Sequence, residues 1–124
     1  MASGQTDTIT VLFTDLVEHS GLYSTLGEAQ AKDLILTHLR LLRQALEAFG
    51  GREVKTEGDR IMAAFPTASG AVRAAIQMQQ SQSRFNRADP ARSLGLRVGL
   101  NTGEPIPEGE DLFGTSVIIA RQTL

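Results

Sequence analysis

The sequence predicts an α+β sandwich of the ferredoxin-like type, an antiparallel sheet with helices packed on one face. Three observations predict it. Short runs rich in β-branched residues, such as Thr8 to Thr14, are separated by long segments of helical periodicity. Two such runs, Glu53 to Thr56 and Ile61 to Phe65, are joined by the tight turn Glu57-Gly58-Asp59-Arg60, which makes an antiparallel hairpin. The order along the chain is strand, two helices, hairpin, helix, and a further hairpin-like pair. Helices that return to one face of an antiparallel sheet give this architecture.

In the first strand Ile9, Val11 and Phe13 alternate with Thr8, Thr10 and Thr14, and Leu12 breaks the alternation. The strand ends in a carboxylate, Asp15. Leu16 to Ser20 then lead into a short helix, Ser20 to Leu26, stopped near Gly27. A longer helix runs from about Glu28 to Phe49. Its residues Ala31, Ile35, Leu39, Leu42, Leu46 and Phe49 recur at three- and four-residue steps and make one buried stripe. Gly50-Gly51 ends it, because glycine can take the left-handed turn there. Pro66 breaks the second hairpin strand. Thr67 or Ser69 caps a third helix to about Asn86, with Ala68, Ala71, Val72, Ala75 and Ile76 facing inward. Arg84 to Ser93 is polar, contains Pro90 and reads as a loop. Leu94, Leu96, Val98 and Leu100 alternate with Gly95, Arg97, Gly99 and Asn101, a strong strand signal. Glu104 to Pro107 is at best an edge strand, since Pro105 and Pro107 cannot donate to a ladder. Gly114 to Leu124 begins a last helix.

Residues 1–7 read as a polar, disordered tail, and 8–124 as one domain without an internal repeat. The 124-residue length is enough for a real core. Hydrophobic content of 41% and charged content of 21% are those of a soluble globular protein. The net charge of −2 leaves no basic face for nucleic acid. The absence of cysteine excludes disulfides and thiolate metal sites and points weakly to the cytoplasm. No apolar run approaches a membrane span, and the first residues have no apolar core of a secretory signal.

Two carboxylates, Asp15 and Asp59, each lie where a strand ends or turns. Brought together, such a pair suits a hard divalent cation. Taken singly, the same residues have blander readings. An aspartate at a strand end is a helix cap or turn former, Lys55 a solvated strand residue, and Asp111 a loop residue in the acidic run 108–111. Arg97 reads equally as a surface pair or a phosphate contact. His19 and His38 read as surface residues, since neither has a second ligand at metal spacing.

Four ordered motifs carry more. Phe13-Thr14-Asp15-Leu16-Val17, Gly50 to Asp59, Arg97 to Glu104, and Asp111 to Val117 together resemble the class III nucleotidyl cyclase catalytic domain, over about Ile9 to Arg121. The resemblance implies an enzyme that converts ATP to cyclic AMP and pyrophosphate, working as a homodimer with shared active sites. It implies two Mg²⁺ or Mn²⁺ ions per site, held by Asp15, Asp59 and the Leu16 backbone. It places the phosphates against the loop after the first strand, Leu16, Val17, Glu18, His19 and Ser20, with Gly58 in the turn. Backbone N–H groups at a helix start suit such an anion. It makes Lys55 and Asp111 the adenine-selecting pair, a donor for the ring nitrogen and an acceptor for the exocyclic amine. Guanine would present the opposite pattern and leave buried groups unpaired.

The sequence also departs from the family pattern. Ile118 and Gln122 stand where an asparagine orients the ribose and an arginine stabilises transition-state charge. Arg121 is one residue early, about 100° round a helix. Glu18 replaces the usual glycine, and the family domain continues beyond this last helix. The domain thus reads as lacking its C-terminal part, which would leave Val117, Ile118 and Ile119 with little to pack against. These departures favour a second class of function, a catalytically silent nucleotide-binding or regulatory module.

Overall fold

The computed structural model describes residues 8–18, 22–109 and 111–123. The elements in order are β1 (Ile9–Glu18), α1 (Leu22–Leu26), α2 (Glu28–Ala48), β2 (Arg52–Glu57), β3 (Arg60–Phe65), α3 (Ala68–Ala88), β4 (Leu94–Gly103), β5 (Ile106–Glu108), β6 (Asp111–Phe113) and α4 (Thr115–Gln122). A short 3₁₀ turn, Pro90–Arg92, joins α3 to β4. β2, β3, β1 and β4 form one antiparallel sheet in that order, and β5 and β6 form a separate two-stranded hairpin. The expected tail, 1–7, falls outside the described residues, as do His19 and Ser20.

β1 is central, and both of its faces are covered. Leu12 packs with Leu39, Leu42 and Leu46 of α2 and Ala71, Ala74 and Met78 of α3. Val11 and Phe13 point the other way, into a cluster with Met62, Ala64, Leu112, Val117 and Ala120. This explains Leu12: the threonine face of β1 is not a solvent face. Thr10 and Thr14 are almost wholly buried, at 1% and 0% exposure. Their hydroxyls are satisfied, Thr10 Oγ1 by Thr102 Oγ1 at 2.7 Å and Thr14 Oγ1 by the Ile61 N–H at 3.0 Å.

The helices expected on one face are α2 and α3. The last helix, α4, lies on the opposite face, where the β5–β6 hairpin accompanies it and Val117 is buried rather than bare. Ile118 and Ile119 do remain exposed. At the end of α2, Gly50 takes the left-handed conformation with φ +78°, and a Cβ on Gly51 would collide with Leu46 and the Phe65 ring. Thr67 caps α3 by accepting the Gly70 N–H at 3.0 Å. The inward stripe of α3 is Ala71, Ala74, Met78 and Gln82, and Val72 and Ile76 are exposed. Alanines at 71, 74 and 75 let the helix approach closely, which turns the larger residues at 72 and 76 outward.

His38 is not a surface residue. It is buried in α2 and its Nδ1 lies 2.8 Å from Gln82 Oε1. A chain of bonds determines its tautomer. The Leu94 N–H donates to Asn86 Oδ1 at 3.0 Å, and Asn86 Nδ2 donates to the Leu94 carbonyl at 2.7 Å. Gln82 Nε2 must then donate to Asn86 Oδ1, at 3.1 Å, which turns Gln82 Oε1 toward the imidazole. Nδ1 therefore carries the proton, and Nε2 is buried with no hydrogen-bond partner among the described residues. Burial pulls the His38 pKa down, outweighing the Gln82 bond and the field of Asp59, which raise it.

Candidate active site

The sheet brings Asp15 between two arginines. The β1–β4 register sets Asp15 directly opposite Arg97, and Arg97 Nη2 donates to Asp15 Oδ2 at 2.5 Å. On the other side, β3 begins at Arg60, whose Nη2 lies 3.6 Å from the same oxygen. Asp59 precedes Arg60 in the turn, where Gly58 supplies the left-handed step at φ +64°. The bond from the Ile61 N–H to Thr14 Oγ1 ties the hairpin to β1 just inside this end. Asp15 and the turn that carries Asp59 are thus at one end of the sheet.

The residues after Asp15 are not the start of a helix. β1 continues through Leu16, Val17 and Glu18, which pair with Leu96, Gly95 and Leu94 of β4. Leu16 is buried with Leu22, Leu34 and Leu94. The long β4 partner keeps these residues extended, and α1 spans Leu22–Leu26 among the described residues. The pairing of β1 with β3 stops at Phe13, so this stretch is laddered on its β4 side.

Lys55 and Asp111, expected as a pair, meet. They stand 56 positions apart in sequence, and Lys55 Nζ donates to Asp111 Oδ2 at 2.9 Å. The β2–β3 register shifts between Glu53 and Lys55, an irregularity of the kind that re-aims a strand side chain. Asp111 is not in a loop but opens β6, and its Oδ1 accepts the Leu112 N–H at 2.8 Å. The Lys55 ammonium, then the Leu112 N–H, hold its pKa below the usual carboxylate range, and Arg121 adds in the same direction.

Lys55 and Leu112, the neighbour of Asp111, line a cleft of about 690 Å³ between the β2–β3 hairpin and α4, together with Glu57, Arg60, Ile118, Arg121 and Gln122. Arg121 and Gln122 both border it, although a helix sets them about 100° apart. The Arg121 guanidinium lies over the Phe13 ring, 5.1 Å from its centroid. A cleft of similar size between α3 and β4, lined by Gln79, Gln82 and Asn86 among others, brings no two titratable groups together as reactive partners.

Among the described residues no three carboxylate or imidazole groups cluster as a metal site. The donors at the strand end are two carboxylates and backbone carbonyls. Such an all-oxygen set, short of a full cage, fits Mg²⁺ or Mn²⁺, which complete their shell with water and phosphate. Sequence alone missed Arg60 and Arg97 as the partners of Asp15. The only signal for them was register, one residue after the turn aspartate and mid-strand in β4.

The chain matches the model of the adenylate and guanylate cyclase catalytic domain over residues 1–122. It is 32% identical to an adenylate cyclase of Podospora anserina over 121 residues, which covers 83% of this chain and 6% of that protein. It is 32% identical to a putative adenylate cyclase 3 of Rhizobium meliloti over 111 residues, covering 89% of this chain and 19% of that one. Among solved structures it resembles an adenylate/guanylate cyclase/hydrolase of Silicibacter pomeroyi, with a TM-score of 0.82 and 30% identity, over 96% of this chain and 70% of that chain. The chain therefore spans a small part of the curated relatives it matches.

Proposed function

From the premise that the chain belongs to the adenylate and guanylate cyclase catalytic domain family, we propose that it converts ATP to cyclic AMP and pyrophosphate. The observation that carries the choice of ATP is the Lys55–Asp111 pair at 2.9 Å, whose lysine lines the cleft. It offers one donor and one acceptor side by side. Adenine presents the complementary acceptor at N1 and donor at N6, and guanine presents the reverse.

In this reading Asp15, Asp59 and the Leu16 carbonyl would hold Mg²⁺ or Mn²⁺. Bound there, the ions would ease ionisation of the ribose 3′-hydroxyl and offset charge on the leaving pyrophosphate. Asp15 is the better-supported ligand, because two paired strands fix its backbone. The extended stretch Leu16 to Glu18, with His19 and Ser20 beyond it, and the turn at Gly58 would face the phosphates. Lys55 and Asp111 would hold the base in one orientation and so aim the ribose. We propose that the two halves of a site come from two copies of the chain. Supporting this, Ile118 and Ile119 are exposed beside the cleft, at 56% and 39%, where a second copy would bury them. Use of ATP is consistent with a cytoplasmic location, and no helix among the described residues is long and apolar enough to cross a membrane.

A second reading has its own support. Ile118 presents a hydrocarbon and Gln122 a neutral amide to the cleft, where the family carries a donor and a cation. A module that binds nucleotide without turning it over would look like this. The test is incubation with Mn²⁺ and either ATP or GTP, with cyclic nucleotide and pyrophosphate assayed and Asp59→Ala as control. Cyclic AMP that disappears in the control supports the enzyme. ATP binding without product supports the silent module, and equal use of ATP and GTP overturns the role of Lys55 and Asp111.

A further inference from the structure

Asp15 is the carboxylate with the most cationic neighbours among the described ion pairs. Both guanidiniums address one oxygen, Oδ2, Arg97 at 2.5 Å and Arg60 at 3.6 Å. They approach from the two strands that flank β1, so neither blocks the other. The Asp15 side chain is only 15% exposed, whereas Arg60 and Arg97 are 42% and 53% exposed, with water open to their guanidiniums. Asp59 lies next to Arg60 in the turn, and Glu57 stands opposite Arg60 in the hairpin ladder, so further carboxylates flank this end.

We propose that Arg60 and Arg97 form a displaceable cap on Asp15, so that the strand end takes a divalent cation poorly by itself and well as a cation–triphosphate complex. The inference rests on the reading of Asp15 as a metal ligand. A cation arriving alone must break a short charge-assisted bond and then sit beside two guanidiniums. A triphosphate arriving with it brings several negative charges and planar oxygen pairs. These are the partners a guanidinium fork matches, so the arginines exchange one anion for another rather than losing theirs. Cation and polyphosphate then favour each other's binding, and the coupling is the same in both directions. Arg60 and Arg97 are positioning residues in this scheme, since they act through Asp15 and the phosphates.

The test is calorimetric titration of the whole chain with Mn²⁺ alone and with the preformed Mn²⁺–inorganic triphosphate complex, so that no turnover is involved. In Arg60→Ser and Arg97→Gln, affinity for Mn²⁺ alone should rise by about tenfold while affinity for the complex falls. Arg60→Lys, which keeps the charge but not the fork, should lie between. Asp15→Asn should lose both. Thermal unfolding of each variant shows which are folded, and if Arg97→Gln is not, Arg60→Ser decides alone. Mn²⁺ affinity that stays level or falls in the arginine variants, while Asp15→Asn loses it, overturns the cap and leaves Asp15 a ligand. Mn²⁺ binding by Asp15→Asn equal to that of the unmutated chain overturns both.

Discussion

Asp15 and Asp111 are both paired carboxylates, yet they are held in opposite ways. Asp15 lies in the central strand, paired there with β4, and is shared by two arginines. Asp111 opens a three-residue strand of a small separate hairpin and is ion-paired with one lysine of β2. Among the described residues the only ladder that holds β6 is to the equally short β5, so the Lys55–Asp111 contact also ties the hairpin to the main sheet. The difference teaches where each carboxylate is anchored. In the proposed reading, the end that would present charge to phosphate and cation is built on the central strand of the main sheet. The pair that would recognise a base is built partly on a short hairpin outside that sheet.

The comparison breaks most directly at Asp15. Asp15→Ala should lower Mn²⁺-dependent cyclisation by about 10³ or more, the several kcal/mol that a metal-bound site supplies. Asp111→Ala should leave much of that activity, and a steady-state assay of the two variants side by side decides. Next in size, Ile118→Asn combined with Gln122→Arg should raise turnover by roughly 10², since each restores a preorganised donor to the cleft. A rise in KM alone would show that the two positions do not face the reacting atoms. Smaller again, Lys55→Glu with Asp111→Cys should change the ratio of kcat/KM for ATP over GTP by about tenfold, with less effect on the sum of the two. An unchanged ratio would reduce the pair to a staple for the hairpin.

The smallest effect concerns the other face of the sheet. Burial lowers the His38 pKa, so the unfolded chain takes up that proton before the folded one does. The His38 contribution to stability should thus be intact above the ordinary imidazole value of about 6.5 and decline as the pH falls below it. Urea unfolding between pH 7 and pH 5 should show the midpoint falling with pH, and His38→Asn should flatten that slope. Equal slopes would mean that the imidazole takes up its proton at the same pH in the folded and unfolded chain.

Much of the fold is legible in the sequence where local chemistry decides it. Gly58 marks the hairpin turn, Gly50 ends α2 and Thr67 caps α3, each through a backbone conformation or a bond within a few residues. The meeting of Lys55 with Asp111 is legible only through the family resemblance, since nothing local joins positions so far apart. What the sequence conceals depends on partners distant in the chain. The threonines of β1 alternate as a solvent face would, yet α2 and α3 bury them because Thr102 and Ile61 satisfy their hydroxyls. His38 looks like a surface residue until Gln82 is placed beside it. The strand continues through Leu16 to Glu18 because β4 is long, a fact about another segment. α4 is too short for its eight residues to declare which face of the sheet they cover.

The bonds that run from the Leu94 backbone through Asn86 and Gln82 to His38 have an evolutionary consequence. A backbone amide cannot mutate, so the direction of every donor in that chain is inherited from an immovable end. A replacement at position 86 that reverses its polarity would strand Gln82, and one at 82 would strand the imidazole, each at the cost of an unpaired buried group. Positions 38, 82 and 86 should therefore change together or not at all as related sequences diverge, moving as one heritable unit although they lie on two different helices.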